Sequence, residues 1–312
     1  MVGWHLLLLL AIEVALYGAA GRYAHIVHGW SVPCSIALAV AIYVGVRIVL
    51  IAAEFLLARW KGAPIPDALR APPARLLGVY LRELGGWMLM FTLVMPFVLS
   101  RRFVIDRKPG PLSGDPPLLL IHGLSCNRGK WFWFRRQLEQ RGHRVYTVDC
   151  TPPFTSIANY APQIARAVDE ILNSTRARRL VLIGHSMGGL IARAYLDQFG
   201  ADKVAHVITL GTPHLGTWMT RLGVGPNVRN MAVDSPWLAG LREREVARSA
   251  RPYAKFTCIF THYDNLLTPQ TNALLPGAEP VALTGIGHVS LVLSDEVVKH
   301  VLGVLAGLRK TD

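Results

Sequence analysis

Ser186 is flanked by Gly184 and Gly188 in the sequence LVLIGHSMGGL, which runs from Leu180 to Leu190. Apolar residues precede this G-x-S-x-G motif and a helix-like stretch follows it, so the serine falls where a strand turns sharply into a helix. Such a turn leaves no room for side chains two residues away and exposes the serine Oγ at a helix N-terminus, where developing negative charge is favoured. The pattern predicts a nucleophile, with a small residue in a tight turn as the alternative.

A nucleophilic serine needs a base, and in a fold with this turn the expected chain order is serine, acid, histidine. His288, in TGIGHVSL, and Asp264, in FTHYDNLLTP, follow the last two strand-like runs in that order. We predict that His288 takes the Ser186 proton and that Asp264 orients the imidazole and stabilises the imidazolium. His214, in GTPHLGT, is the alternative base, and Asp234 is the alternative acid.

An oxyanion hole in such a site is built from two backbone N–H groups. One is expected from Met187, directly after the nucleophile, and the other from Leu124, in the loop that follows the run LLLIHG. His122 and Gly123 are expected to shape that loop.

Aromatic residues occur in two places where they would line an acyl site. Trp131 begins the run WFWF, which either packs the first helix of the domain or forms a wall of the site. Trp218 and Trp237 lie in the long segment 215–252, which has the composition of a lid over an acyl pocket. A cap that is simply packed in place is the alternative for this segment.

The elements that position these residues form an alternating pattern over residues 118–312. Short apolar runs alternate with helix-like stretches, of which the last, 294–309, has Ser294 as a candidate N-cap. Strands of nearly continuous apolar character between helices predict an α/β fold with a parallel sheet covered on both faces. Such folds carry their chemistry at the carboxyl ends of the strands, where Ser186, Asp264 and His288 all fall.

Residues 1–105 are predicted to be a membrane-anchoring region. The segments 4–20 and 31–57 are long and apolar enough to span a bilayer, whereas 84–99 could cross it, lie in its interface or pack under the next domain. A cleaved signal peptide is the alternative for the first segment, but no basic residue precedes it and a second span follows at once. The Pro-rich and Gly-rich stretch 106–117 is predicted to be a linker.

Charged residues within these apolar segments need partners. For Arg47, in the second segment, the candidates are Glu13 and Glu54.

The chain has 312 residues and a formal net charge of +13, and its basic residues are spread out. Anionic lipid headgroups would suit this charge, a solvated basic surface is the alternative, and the absence of a nucleic-acid motif argues against nucleic acid as a partner. With two spans, nine basic residues from Arg59 to Lys108 share the side of the C-terminal domain against Arg22 opposite. The positive-inside rule then favours the cytoplasmic side of a bacterial inner membrane. With three spans the basic residues are five against five, and the domain faces outward if the N-terminus is inside.

The four cysteines show neither CxxC nor zinc spacing, so neither a disulfide framework nor a metal site is expected. The oligomeric state is left open by the sequence.

Five segments together, HGLSCNRGKW, GHSMGGL, GTPHLGTW, THYDNLLTP and GIGHVSL, resemble the α/β-hydrolase superfamily over about residues 115–310. The resemblance is to bacterial triacylglycerol-lipase-like serine esterases and, more loosely, to eukaryotic deacylases of lipid-linked inositol. It implies the α/β-hydrolase fold, a Ser-Asp-His triad and hydrolysis of carboxylic esters without an organic cofactor. Some secreted relatives carry a structural calcium and a disulfide, but no carboxylate cluster here argues for either.

These observations predict a membrane-anchored serine hydrolase that acts on lipid-like acyl esters. An acyltransferase or thioesterase with the same triad is the alternative, and a non-catalytic membrane scaffold is a third hypothesis, disfavoured by the intact triad.

Overall fold

The computed structural model describes residues 2–99, 105–106 and 115–308. Within these residues a mixed sheet has seven strands in the order β1-β3-β2-β4-β5-β6-β7, all parallel except β1, which pairs antiparallel with β3. The strands are β1 (Ile105–Asp106), β2 (Leu118–Ile121), β3 (Val145–Val148), β4 (Leu180–His185), β5 (Val204–Leu210), β6 (Phe256–Thr261) and β7 (Glu279–Leu283).

Helices follow most of the strands, as the alternating pattern predicts. They are α4 (Phe132–Glu139), α5 (Ala161–Thr175), α6 (Met187–Phe199), α7 (Pro226–Asn230), α8 (Pro236–Arg248) and α9 (Asp295–Leu308). Ser294 caps α9 by accepting a hydrogen bond from the Val297 N–H at 3.4 Å. The α/β fold class predicted from the sequence is confirmed.

Two hydrophobic cores lie on opposite faces of the sheet, and successive residues of one strand enter different cores. In β4, Leu180 and Leu182 pack into one core while Val181 and Ile183 pack into the other. Because neighbouring side chains of a strand point to opposite faces, a strand covered on both faces must be apolar throughout. This requirement keeps Asp and Glu out of the middle of these strands, although a few Thr and His side chains occur there.

Three apolar helices precede the sheet and are long and apolar enough to cross a membrane. They are α1 (Val2–His28), α2 (Val32–Lys61) and α3 (Pro73–Met88), the last continuing through a π-helical turn, Leu89–Val94, and a 3₁₀ turn, Met95–Phe97. The first two form a hairpin in which Arg47 of α2 pairs with Glu13 of α1, so of the two partners left open by the sequence Glu13 is the one observed. Glu54 points instead to Asn265 of the sheet domain, at 2.7 Å.

The third apolar segment packs against the sheet domain. Met90 and Met95 are buried in the core that contains Val181, and Glu83 is buried as well. The other face of this segment exposes apolar side chains, among them Leu81 and Leu93. Most of the predicted linker 106–117 lies outside the described residues, as do the last residues of the predicted helix 294–309.

A buried ion pair joins α6, the helix after Ser186, to α8 of the 215–252 segment. The Arg193 guanidinium donates to both oxygens of Glu245, at 2.9 and 2.6 Å, and their side chains are only 1% and 10% exposed. Arg193 also donates to the carbonyl of His214 at 3.0 Å. Removing one partner of a buried pair leaves the other charge without compensation, which is far more costly than losing an exposed pair.

We therefore expect Arg193→Met to lower the free energy of unfolding by about 3–5 kcal/mol, measured by denaturation in detergent micelles and followed by circular dichroism. The matched control is Lys203→Met, which removes a pair with Asp169 whose side chains are both 53% exposed. That change should cost at most about 1 kcal/mol. Equal effects of the two variants would contradict a structural role for the buried pair.

Candidate active site

Ser186 occupies the turn between β4 and α6, with φ 57° and ψ −126°. This strained conformation is the one that a strand-to-helix nucleophile turn requires. A Cβ at Gly188 would overlap the carbonyl oxygen of Ile121, and one at Gly184 would overlap the backbone of Gly189. The two glycines of the motif are therefore needed because the turn is packed directly against backbone atoms.

His288 and Asp264 form a buried hydrogen-bonded pair at the ends of the last two strands. His288 Nδ1 lies 2.8 Å from Asp264 Oδ2, and the two residues are 5% and 0% exposed. The other carboxylate oxygen, Oδ1, accepts the backbone N–H groups of Leu266 and Leu267 at 2.9 and 2.7 Å. These bonds hold the carboxylate in place, and the bond through Nδ1 leaves Nε2 of the ring for the serine.

The backbone of His288 is also fixed on both sides. Its N–H donates to Asn265 Oδ1 at 3.1 Å, and its carbonyl lies 3.0 Å from His185 Nε2. A carbonyl only accepts, so His185 carries its proton on Nε2. Burial lowers the pKa of His185 well below its usual value, so this ring stays neutral. His185 therefore supports the loop of the candidate base.

The loop expected to supply the oxyanion hole is held by His122. The ring accepts the Cys150 N–H on Nε2 at 3.1 Å, so its proton is on Nδ1 and is donated to the Gly123 carbonyl at 2.9 Å. Burial lowers the pKa of His122, which keeps the ring neutral in this arrangement. A Cβ at Gly123 would lie 2.9 Å from the Cβ of Ser186, so the loop passes directly over the nucleophile.

The two residues predicted to form the oxyanion hole are the chain neighbours of Gly123 and Ser186. Leu124 follows Gly123 and lines the same cavity as Ser186. Met187 is the first residue of α6, where backbone N–H groups have no acceptor within the helix.

A cavity of about 200 Å³ opens beside Ser186 and His288. Apolar side chains from distant parts of the chain line it, among them Phe91 from the third apolar segment, Leu266 and Leu267 after β6, and Met219, Val228 and Met231 from the 215–252 segment. Phe91 was not predicted, because the sequence gives no signal that distinguishes it from the other apolar residues of 84–99.

None of the three tryptophans predicted to contact substrate lines this cavity. Trp131 is 0% exposed and packs in the core against Phe134, with ring centroids 5.5 Å apart. Trp237 packs against the other core from α8, and Trp218 meets Trp60 of α2 edge to face at 6.4 Å.

The alternative base and acid lie elsewhere. His214 is buried with Nε2 at 3.1 Å from the Thr209 hydroxyl, and burial lowers its pKa well below the usual value. His214 and the exposed Asp234 line a different cavity, together with Arg193. Among the described residues, no cluster of three or more His, Cys, Asp or Glu side chains could hold a metal ion.

Residues 116–230 match the family described as the alpha/beta hydrolase fold. A triacylglycerol lipase of Burkholderia plantarii is 30% identical over 139 residues, which cover 40% of this chain and 38% of that protein. A triacylglycerol lipase of Pseudarthrobacter phenanthrenivorans is 33% identical over 110 residues, covering 32% of this chain and 34% of that protein. The chain thus spans little more than a third of the length of these curated relatives.

Among solved structures, the mature form of the Bacillus licheniformis lipase BlEst2 superposes with a TM-score of 0.57 at 20% identity. The superposition covers 65% of this chain and 98% of that one. A likeness at this identity concerns the fold.

The packing of the turn predicts that Gly188→Ala abolishes the function of the site, because the added methyl group overlaps the Ile121 carbonyl and must displace Ser186. The measurement is the rate at which a fluorophosphonate probe labels the protein. Gly303→Ala, in the middle of α9 where a Cβ meets nothing within 4 Å, is the control and should label like the wild type. Normal labelling of Gly188→Ala would contradict this account of the turn.

Proposed function

Because the sheet domain of this chain is an α/β-hydrolase, we propose that the protein is a membrane-anchored serine hydrolase that cleaves carboxylic esters of lipid-like substrates. The observation that carries the proposal is the buried pair of His288 and Asp264 on the same apolar cavity as Ser186. A serine at this turn and a histidine oriented by a carboxylate, both at a largely apolar cavity, are together what acyl transfer to serine requires.

In the proposed mechanism Ser186 Oγ attacks the ester carbonyl while His288 Nε2 accepts its proton. The backbone N–H groups of Met187 and Leu124 stabilise the negative charge on the carbonyl oxygen. The imidazolium of His288, balanced by Asp264, returns the proton to the departing alcohol and leaves an acyl-enzyme. Water activated by His288 then attacks the acyl-enzyme, which releases the acid and restores the serine.

The lipid-like substrate class is supported by the walls of the cavity and by where it lies. Phe91, Met219, Val228 and Met231 are suited to an acyl chain. Phe91 belongs to an apolar helical segment that exposes Leu93 on its other side, so the cavity lies next to a segment with an apolar face free to contact a bilayer. The match of part of this sequence to two triacylglycerol lipases supports the same class of ester.

The 215–252 segment is proposed to act as a cap with one fixed half. Its second half, α8, is held by the buried pair of Arg193 and Glu245. Its first half supplies Met219, Val228 and Met231 to the cavity, so any movement that admits substrate is assigned to residues 215–231.

We expect Ser186→Ala to abolish labelling by a fluorophosphonate, which reacts with a serine activated by its base. Ser174→Ala, in the last turn of α5, is the control and should label like the wild type. The same proteins are assayed in detergent micelles on esters of increasing acyl length, where we expect activity that depends on Ser186 and rises from short to longer chains. Full esterase activity of Ser186→Ala would exclude the proposal, and a preference for acetyl esters would exclude its lipid-like substrates.

We also propose that α1 and α2 cross the membrane as a hairpin while the third apolar segment lies along the sheet domain. Two spans place the basic residues between Arg59 and Lys108 on the side of that domain, which the positive-inside rule assigns to the cytoplasmic side of a bacterial inner membrane. The burial of Glu83, Met90 and Met95 against the domain supports two spans over three.

This topology predicts that green fluorescent protein fused to the C-terminus in a bacterial host fluoresces and that alkaline phosphatase fused there is inactive. Fusions in the turn between α1 and α2, at Trp30, are the control and should behave in the opposite way. An active C-terminal phosphatase would mean three spans or the reverse orientation.

A further inference from the structure

Three consecutive backbone N–H groups after β7 are bound by side chains. The N–H of His288 donates to Asn265 Oδ1 at 3.1 Å, that of Val289 to Glu83 Oε1 at 2.7 Å and that of Ser290 to Glu83 Oε2 at 2.9 Å. They stand where the 3₁₀ turn Val289–Leu293 begins, and N–H groups at the start of a helical turn have no acceptor within it. The position of the His288 loop thus depends on acceptors supplied from elsewhere in the chain.

The principal acceptor, Glu83, comes from α3 and is 0% exposed. Besides the two N–H groups it accepts the Ser290 hydroxyl on Oε2 at 2.7 Å, so both carboxylate oxygens have donors. A Cβ at Gly287 would lie 2.5 Å from Glu83 Oε2, so the glycine before His288 is what lets the carboxylate approach the loop. Glu83 and Gly287 therefore both contribute to the contact between α3 and the His288 loop.

The other acceptor, Asn265, is oriented by α2. Its side-chain amide donates to Glu54 Oε2 at 2.7 Å, which turns its Oδ1 toward the N–H of His288. Asn265 is 1% exposed and follows Asp264 directly, so this bond also fixes the chain beside the candidate acid.

Carboxylates in apolar helices are costly and are retained where they have a specific partner. Here two such groups, on two different N-terminal helices, converge on the loop of one histidine. We propose that Glu83 and Glu54 are positioning residues for His288, so that the N-terminal helices complete the active site as well as holding it at the membrane. This inference rests on the proposed function, because it assigns how the base of that reaction is held.

The carboxyl group of Glu83 is itself affected by this position. Burial raises its pKa, whereas the hydrogen bonds from the Val289 and Ser290 N–H groups and from the Ser290 hydroxyl lower it. The proposal therefore rests on the hydrogen bonds that hold the His288 loop.

We expect Glu83→Gln, assayed on a water-soluble ester in detergent, to lower kcat by about 10-fold or more, because an amide N–H₂ replaces one acceptor and faces a backbone N–H. KM should stay within about twofold, since Glu83 does not line the cavity. A loss that appears in KM instead of kcat, or an unchanged kcat, would overturn the proposal.

Tyr80→Phe is the matched control on the same helix. It removes a hydrogen bond from the Tyr80 hydroxyl to the Ile48 carbonyl, at 2.7 Å, and so perturbs the packing of α3 on α2 without touching the His288 loop. Its kcat and KM should match the wild type. If Tyr80→Phe lost as much kcat as Glu83→Gln, the effect would belong to helix packing in general and the positioning role would be rejected.

A second pair of variants keeps the test decisive if Glu83→Gln does not fold. Glu54→Gln retains an oxygen that can accept from Asn265, so it should keep kcat within about threefold, whereas Glu54→Leu has no acceptor and should lose about 10-fold. Equal activity of these two variants would overturn the role of Glu54.

The two proposals fail in different ways. If Ser186→Ala keeps wild-type activity, the proposed function is excluded. If activity requires Ser186 but is unchanged in Glu83→Gln and Glu54→Leu, only the positioning role of the helices is excluded.

Discussion

The site depends on holding one imidazole so that its Nδ1 meets a carboxylate while its Nε2 stays available to the serine. His288 satisfies this through the 2.8 Å bond to Asp264, and neither residue is accessible enough for water to compete. An imidazole on a loop would otherwise turn freely. The backbone of His288 is therefore bound on its N–H side by Asn265 and on its carbonyl side by His185. Each of these partners is fixed in turn, Asn265 by Glu54 and His185 by its place at the end of β4.

The location of these polar groups follows from the burial of the sheet. A strand covered on both faces has little room for charged side chains except at its ends. In a parallel sheet the carboxyl ends meet at one edge, so residues distant in sequence come together there. The register brings Ile121 of β2 beside Gly184 of β4, which places the loop proposed to supply the oxyanion hole next to the turn at Ser186.

How far the sequence predicts this arrangement depends on the range of the interactions. The turn at Ser186 is local, so its glycines reveal it, and the order of Ser186, Asp264 and His288 is a property of the fold. The partners of Glu83 lie 206 and 207 residues away, and no local pattern separates this glutamate from an unexplained charge in an apolar helix. The prediction that the three tryptophans contact substrate has a related weakness. Composition shows that a segment is aromatic but does not show which side of a helix meets the cavity.

The walls of the cavity come from parts of the chain that the sheet does not constrain. Ser186 and His288 are set by strand ends, whereas Phe91 belongs to a membrane-type segment and Met231 to the 215–252 segment. Fold and reaction can therefore stay fixed while the acyl site changes with these segments. Phe91 and Glu83 lie on the same stretch of helix, so a change that moved this helix to admit a different acyl chain would also disturb the His288 loop. In the proposed mechanism, substrate fit and the alignment of His288 are therefore coupled through one helix, which limits how far its packing on the sheet domain can vary.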